Sequence, residues 1–231
     1  MLRSRFADLW RWCRQQDPSR AETQLSLTQL ATDIGKDWKQ SGYYDAAEPY
    51  MEEQWQHIIW PYIQDCDFSC VIDLAVGHGR NTDKLRRLAG TIYAIDINEE
   101  NIKFCQQRFA GDKKVHLLLN NGFTFTGVTD ATVTLVYCFD AMVHFDSDVV
   151  RSYLRESARV LKPGGYGFFH HSNYDKNPSG NPHDNPGWRN FMSQNLFIHY
   201  CSKEGLDVVR SQIVDWSSPE MDCLTLFHKS L

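Results

Sequence analysis

Val71-Ile72-Asp73-Leu74-Ala75-Val76-Gly77-His78-Gly79-Arg80 is the stretch that decides how the rest of the chain is read. An apolar run ends at an acidic residue, glycines follow at positions 77 and 79, and a helix-like stretch starts near Asn81. A buried strand that turns through glycines into a helix lets backbone N–H groups come close to a ligand. A second apolar run, Thr91-Ile92-Tyr93-Ala94-Ile95-Asp96, also closes on a carboxylate. An acidic residue at the end of the second strand is placed to accept hydrogen bonds from the two hydroxyls of a ribose. The two runs together predict a site for an adenosine-containing cofactor.

The kind of cofactor follows from the loop. A dinucleotide site needs G-x-G-x-x-G, so that a pyrophosphate can sit on the helix N-terminus. Here the three positions of a D-x-G-x-G-x-G pattern hold Ala75, Gly77 and Gly79, with no third glycine in dinucleotide register. Asp73 before the loop is a poor neighbour for a pyrophosphate and a good one for a cationic methionine moiety. Ala75 stands where glycine is usual, and its methyl group is tolerable if the backbone there keeps a negative φ.

The pattern resembles the first motif of the class I S-adenosylmethionine-dependent methyltransferases, and the resemblance continues in order over residues 66 to 228. It implies a Rossmann-like seven-stranded α/β sheet with helices on both faces and an antiparallel C-terminal hairpin, bearing an N-terminal helical extension. The cofactor it implies is S-adenosyl-L-methionine, on Asp73, Ala75, Gly77, Gly79, Asp96 and Ile97. Asn121-Gly122, after Val115–Leu119, falls where the family has an acidic or amide residue beside the adenine. Phe139-Asp140, after Val133–Val136, matches the exit of its fourth strand. Val160-Leu161-Lys162-Pro163-Gly164-Gly165 matches its approach to strand five.

The residues give a consistent organisation of their own. Strand-like and helix-like segments alternate from residue 66, which predicts a parallel sheet covered on both faces. Leu85, Leu88 and Ala89 mark the apolar face of one helix, ended by Gly90. Val150, Tyr153, Leu154, Ala158 and Leu161 mark another, and a further helix runs from about Trp188 to Glu204. Leu206–Trp216 and Met221–His228 are joined by Ser217-Ser218-Pro219-Glu220, a connection so short that the pair must be antiparallel. The expected division is an N-terminal helical cap segment over 1–65 and, as the resemblance implies, a class I methyltransferase domain over 66–231, the two forming one compact unit. In the cap, stripes occur at Phe6, Leu9, Trp10, Cys13, at Leu27, Leu30, Ala31, Ile34 (ended by Gly35), and at Trp55, Ile58, Ile59, Tyr62. Ser19 and Glu22 have capping-box spacing.

Composition narrows the partners. The chain has 231 residues, 42% hydrophobic, with a net charge of −5, and no apolar run long enough to span a bilayer. Charged residues interrupt the first eleven positions, unlike a signal-peptide core. Seven scattered cysteines without metal-ligand spacing point to a reducing cytoplasm. No run of Lys and Arg offers a nucleic-acid footprint; Lys84, Arg86 and Arg87 read as a solvated helix face. The expected partner is a small-molecule acceptor, with neither nucleic acid nor membrane; the oligomeric state is not legible.

The acceptor region is read from two irregular segments. Tyr43 and Tyr44 lie in an aromatic stretch of the cap, a segment that in small-molecule methyltransferases covers the cofactor and shapes the acceptor pocket. Residues 172–188 hold three prolines, two glycines and four asparagines, a long loop at the carboxyl edge of the sheet; Asn173, Tyr174 and Trp188 are its candidate acceptor contacts. Phe168–Tyr174 with Trp188-Arg189 is similar to small-molecule or sugar O-methyltransferases. An alcohol acceptor must lose a proton as the new bond forms, and histidine suits that role. His170 and His171 at the end of strand five are the first candidates for the base and His144 the second, each with the plainer alternative of a histidine that only positions a loop. Adjacent strand residues point to opposite faces, so one of the pair looks away from the site. A magnesium set of Asp140, His170 or His171, Asn173 and Asp175 has no recognisable spacing, and no metal is expected. The alternatives are transfer to nitrogen, an RNA or protein substrate on the same fold, a nucleotide-binding oxidoreductase, or an inactive cofactor-binding partner.

Overall fold

The computed structural model describes residues 26–39 and 42–230. The expected stripe at Phe6–Cys13 and the Ser19/Glu22 spacing lie outside the described residues. Seven strands form one sheet in the order β3-β2-β1-β4-β5-β7-β6: β1 Cys70–Leu74, β2 Thr91–Asp96, β3 Val115–Leu119, β4 Val133–Cys138, β5 Leu161–Ser172, β6 Leu206–Val214 and β7 Asp222–Lys229. Strands β1 to β5 are parallel; β7 runs antiparallel between β5 and β6. This is the class I methyltransferase arrangement, with the expected terminal hairpin.

The sheet positions the site through its one reversal of direction. The chain winds outward from β1 to β3, then returns to place β4 on the other side of β1. The loops that leave β1 and β4 must therefore diverge to opposite faces, and a crevice opens between them. Asp73 and Tyr137 are cross-strand partners, so the glycine loop and the segment after Cys138 start side by side. Every residue of β4 is buried, as expected for a central strand covered on both faces.

Alternation along the strands divides the core. Ile72, Val136, Phe169 and Phe227 pack under α7 (Ser147–Val160) and α8 (Gln194–Lys203). Val71, Tyr137, Phe168 and Leu226 pack on the opposite face against Leu85 of α5 (Arg80–Leu85) and Ile59, Tyr62 and Ile63 of the cap. In the cap, α1 (Leu27–Asp37) starts at Ser26, whose hydroxyl accepts from Gln29 N–H. After α2 (Tyr43–Ala47), α3 (Met51–Gln54) and α4 (Trp60–Ile63) are joined through a π-helical turn at Trp55–Ile59. Pro61 offers no N–H to continue an ordinary α ladder, and a widened turn accommodates that loss. Between β2 and β3 runs α6 (Glu99–Arg108). Among the described residues no helix is long and apolar enough to cross a membrane.

Some boundaries differ from expectation. Helix α1 continues through Gly35 to Asp37, because Gly35 serves contact: a Cβ there would meet Ile97 at 2.9 Å. Helix α5 ends at Leu85, which leaves Leu88 on the surface at 44% exposure. Lys84, Arg86 and Arg87 pair with Glu52, Asp83 and Asp112, with Arg87 exposed. Residues 188–193 stay outside α8, which begins after Ser193, whose side chain caps it.

Candidate active site

A cavity lies over the carboxyl ends of β1, β2 and β4 and under the cap. The glycine loop forms one wall. Ala75, Gly77 and Gly79 all have positive φ, at 61°, 53° and 86°. The condition of a negative φ at Ala75 is not met: the tight exit from β1 demands the left-handed region, where an L residue costs roughly 1–2 kcal/mol. A Cβ on Gly77 would lie 2.5 Å from the Tyr44 ring, so glycine there lets cap and loop touch. Gly79 does not line the cavity. It opens α5 and packs against Phe109 and Cys105.

Asp96 lies on the floor, 5% exposed. Its carboxylate accepts from Gly77 N–H at 2.9 Å, Asn98 N–H at 2.8 Å and Asn101 Nδ2 at 3.2 Å. Burial raises its pKa, and those donors oppose the rise. Asp73 sits beneath the loop and does not line the cavity. Its Oδ2 accepts from the Thr82 hydroxyl, whereas Oδ1 is buried with no partner. Burial pushes its pKa up to about 7, with the Thr82 bond opposing and the Asp96 charge adding.

At the other end, Arg80 and Asp140 form a buried ion pair, and the Tyr43 hydroxyl donates to the same Asp140 oxygen. Arg80 also reaches Gln54 Oε1 at 2.8 Å. Asp140 adopts a left-handed φ of 60° and its backbone N–H donates to His170 Nδ1. Beyond it, His144 lines the cavity with its ring 4.6 Å from that of Trp38. Its Nδ1 lies 3.0 Å from the Trp188 carbonyl, which can only accept, so Nδ1 carries the proton. Burial lowers the His144 pKa to about 4, leaving a neutral ring whose Nε2 is an acceptor without a hydrogen-bond partner among the described residues.

The anticipated residues separate into three sets. Ala75, Gly77, Asp96, Ile97, Gly122, Phe139, Asp140, His144, Tyr43 and Tyr44 line the cavity. Trp188 stands at its edge, 6.2 Å from Trp38 between ring centroids. Asn121, Asn173, Tyr174, His170 and His171 do not line it. Asn121 turns outward, where its Oδ1 accepts from Phe123 and Thr124 N–H, and Asn120 lines the cavity instead. Asn173 ties Gln194 N–H to the Glu220 carbonyl, and Tyr174 bridges to Phe191. His171 points to the far face, stacked on Phe197 at 3.8 Å and bonded to Thr225, so no path joins it to the cavity. His170 points toward the site but is fully buried behind Asp140. Neither ring reaches the cavity wall.

Other cavity residues carry weak sequence signals. Arg80 is the first residue after the glycine loop, and an arginine there faces whatever the loop holds. His78 lies between Tyr44 and Phe104 rings at 4.3 and 3.8 Å. Leu30, Ala31, Ile34 and Trp38 reach the cavity only because α1 crosses it, which no local pattern reports.

Residues 72–169 match the methyltransferase-domain family model. Over that stretch the chain is similar to methyltransferase domains, and its sheet has the class I methyltransferase fold. A protein of Bacillus subtilis (strain 168) whose name, YqeM, bears a methyltransferase assignment is 28% identical over 97 residues, 41% of this chain and 39% of that protein's length. Two solved structures share the fold. One is an S-adenosylmethionine-dependent methyltransferase from Leishmania major, with a TM-score of 0.68 at 14% identity, over 90% of this chain and 88% of the other. The second is geranyl diphosphate C-methyltransferase from Streptomyces coelicolor A3(2), solved with Mg2+, geranyl-S-thiolodiphosphate and S-adenosyl-L-homocysteine. It has a TM-score of 0.67 at 13% identity, over 87% of this chain and 98% of the other.

The cofactor of such a domain is S-adenosylmethionine, and the residues present fit it. Asp96 would offer buried acceptors to ribose hydroxyls. The Arg80–Asp140 pair complements an amino-acid zwitterion, guanidinium to carboxylate and carboxylate to ammonium. The partnerless Asp73 Oδ1 lies buried below the loop, where a cationic ligand above it would favour the charged carboxylate.

Proposed function

We propose that the protein transfers a methyl group from S-adenosylmethionine to a small polar acceptor, a hydroxyl of a sugar or natural-product intermediate, with His144 as the base. The observation that carries this reading is the anchored, neutral His144 ring on the cavity wall, its Nδ1 held by the Trp188 carbonyl and its Nε2 open. The bound cofactor supplies an activated methyl on a sulfonium, so the chain's own task is alignment and proton removal. Tyr43, Tyr44 and Trp38 shield the cavity from water, and with Arg80 and Tyr43 both on Asp140 Oδ2, its Oδ1 is available to an acceptor hydroxyl. An oxygen that gains a methyl while keeping its proton becomes strongly acidic. A base as weak as His144, lowered to about 4 by burial, is therefore sufficient late in the transfer.

The test is release of S-adenosylhomocysteine across a panel of polyols, sugars, phenols and amines. An active hydroxyl acceptor should lose about 10²- to 10⁴-fold in kcat on His144→Ala, with cofactor affinity unchanged. Equal turnover by the variant removes His144 as base. Turnover of amines alone replaces oxygen by nitrogen as the methylated atom.

A further inference from the structure

Three charged or titratable side chains just outside the cavity form a connected unit that the transfer chemistry does not use. Arg189 is 5% exposed, and Asp222 and His170 are fully buried. Arg189 grips Asp222 with two parallel bonds, Nε to Oδ1 at 2.9 Å and Nη2 to Oδ2 at 2.5 Å. Its remaining nitrogen donates to the Gly187 carbonyl at 2.8 Å. Asp222 Oδ2 lies 3.1 Å from His170 Nε2. Burial alone would raise the Asp222 pKa, but the Arg189 and His170 bonds outweigh it and hold it down at about 2. The carboxylate is therefore an anion, and His170 Nε2 is its donor. His170 Nδ1 faces the Asp140 N–H at 3.2 Å and must accept.

Burying such a set is costly, and replacing it by apolar side chains is often neutral or stabilising. Its placement gives it a use. The N–H that His170 holds belongs to Asp140, a non-glycine residue with a φ of 60°. That conformation is strained and persists only where neighbours over-determine it. It turns the Asp140 carboxylate to Arg80 on the loop side and to Tyr43 on the cap. We propose that Arg189, Asp222 and His170 are positioning residues, a buried relay that fixes the Asp140 carboxylate at the amino-acid end of the cofactor site. The relay also joins the long loop before Asn190, through Arg189 and the Asn185 amide bonded to its carbonyl at 2.7 Å, to the cap residue Tyr43. Loop, donor site and cap thus share one chain of polar contacts.

The proposal rests on the cofactor reading of the cavity and not on the acceptor. Two substitutions separate positioning from bulk stability. The amide of His170→Asn replaces Nδ1 and keeps an acceptor for Asp140 N–H; His170→Gln places its amide nearer Nε2 and loses that acceptor. Calorimetric titration with S-adenosylhomocysteine should give His170→Gln at least about tenfold weaker binding, the equivalent of one lost hydrogen bond. His170→Asn should stay within about threefold of wild type, and the Gln defect should disappear in an Asp140→Ala background, since the two act as one unit. Equal affinities for Gln and wild type, or an undiminished defect with Asp140→Ala, would overturn the relay. Should the variants not fold, long-range 1H–15N spectra of the wild-type protein decide. His170 must show a protonated Nε2 and a bare Nδ1; the other tautomer or a doubly protonated ring refutes the proposal. Failure of wild type itself to bind S-adenosylhomocysteine would count against the cofactor reading and leave the tautomer result standing.

Discussion

Ala75 is a single methyl group in the wrong half of backbone space. Its φ of 61° is set by the turn from β1 into the glycine loop, and the loop keeps its course because the strand before it is locked in the sheet. Ala75→Gly should relieve the strain and stabilise the protein by about 1 kcal/mol in urea unfolding at unchanged m-value. Two histidines behave in the opposite sense, losing stability to acid. Burial lowers His171 to about 3 and His144 to about 4, against a usual 6.5. Below 6.5 the unfolded chain binds protons that the folded chain refuses, so stability falls as the pH drops from 6.5 toward 3. For His171 the loss between pH 7 and pH 5 is about 2 kcal/mol. His171→Asn should remove that part of the pH slope, read from urea midpoints at the two pH values.

At the scale of elements, β5 and β7 show how closely backbone and ring are fitted. Gly167 on β5 pairs with Phe227 on β7, and a Cβ at 167 would fall 2.1 Å from that ring. Phe227 is fully buried in the α7 and α8 layer, so it has no room to withdraw. Gly167→Ala should cost about 1–3 kcal/mol by overpacking. Affinity for S-adenosylhomocysteine should be unchanged at saturating protein stability, because neither residue lines the cavity. The same register explains the histidine pair. Phe168 and Phe169 face opposite layers, and His170 and His171 continue that alternation, one behind Asp140 and one against Phe197.

The whole molecule closes around its cofactor site from two sides that are distant in sequence. Helix α1 is tied down by Asn98 Nδ2 to the Gly35 carbonyl at 2.9 Å, and Asp37 at its end meets His183 of the long loop at 2.7 Å. A ligand held by both sides couples to global stability. S-adenosylhomocysteine at about 100 times its Kd should add about 2.7 kcal/mol, a rise in Tm of about 5–10 °C for a chain of this size. Asp96→Ala should abolish the shift in a thermal melt, since it removes the carboxylate that organises Gly77, Asn98 and the ribose position together.

The succession of strands and helices, the glycine loop, Asp96 and the terminal hairpin were all legible in the chain, because each is written in local chemistry. Apolar runs of strand length, glycines at a forced turn and a four-residue connection act over a few residues, and they mean the same wherever they occur. The choice among Asn120 and Asn121, or among His144, His170 and His171, was not local. It depends on which way a strand end twists, on an asparagine that spends its oxygen on its own turn, and on an aspartate whose backbone claims the histidine behind it. The reach of α1 over the cavity and the bond from Tyr43 to Asp140 span gaps that no periodicity records. Composition and spacing determine that a cofactor site exists at the end of β1. Only the packed sheet decides which side chains enter it, since a side chain's direction is fixed by its neighbours across the sheet and not by its neighbours in the chain.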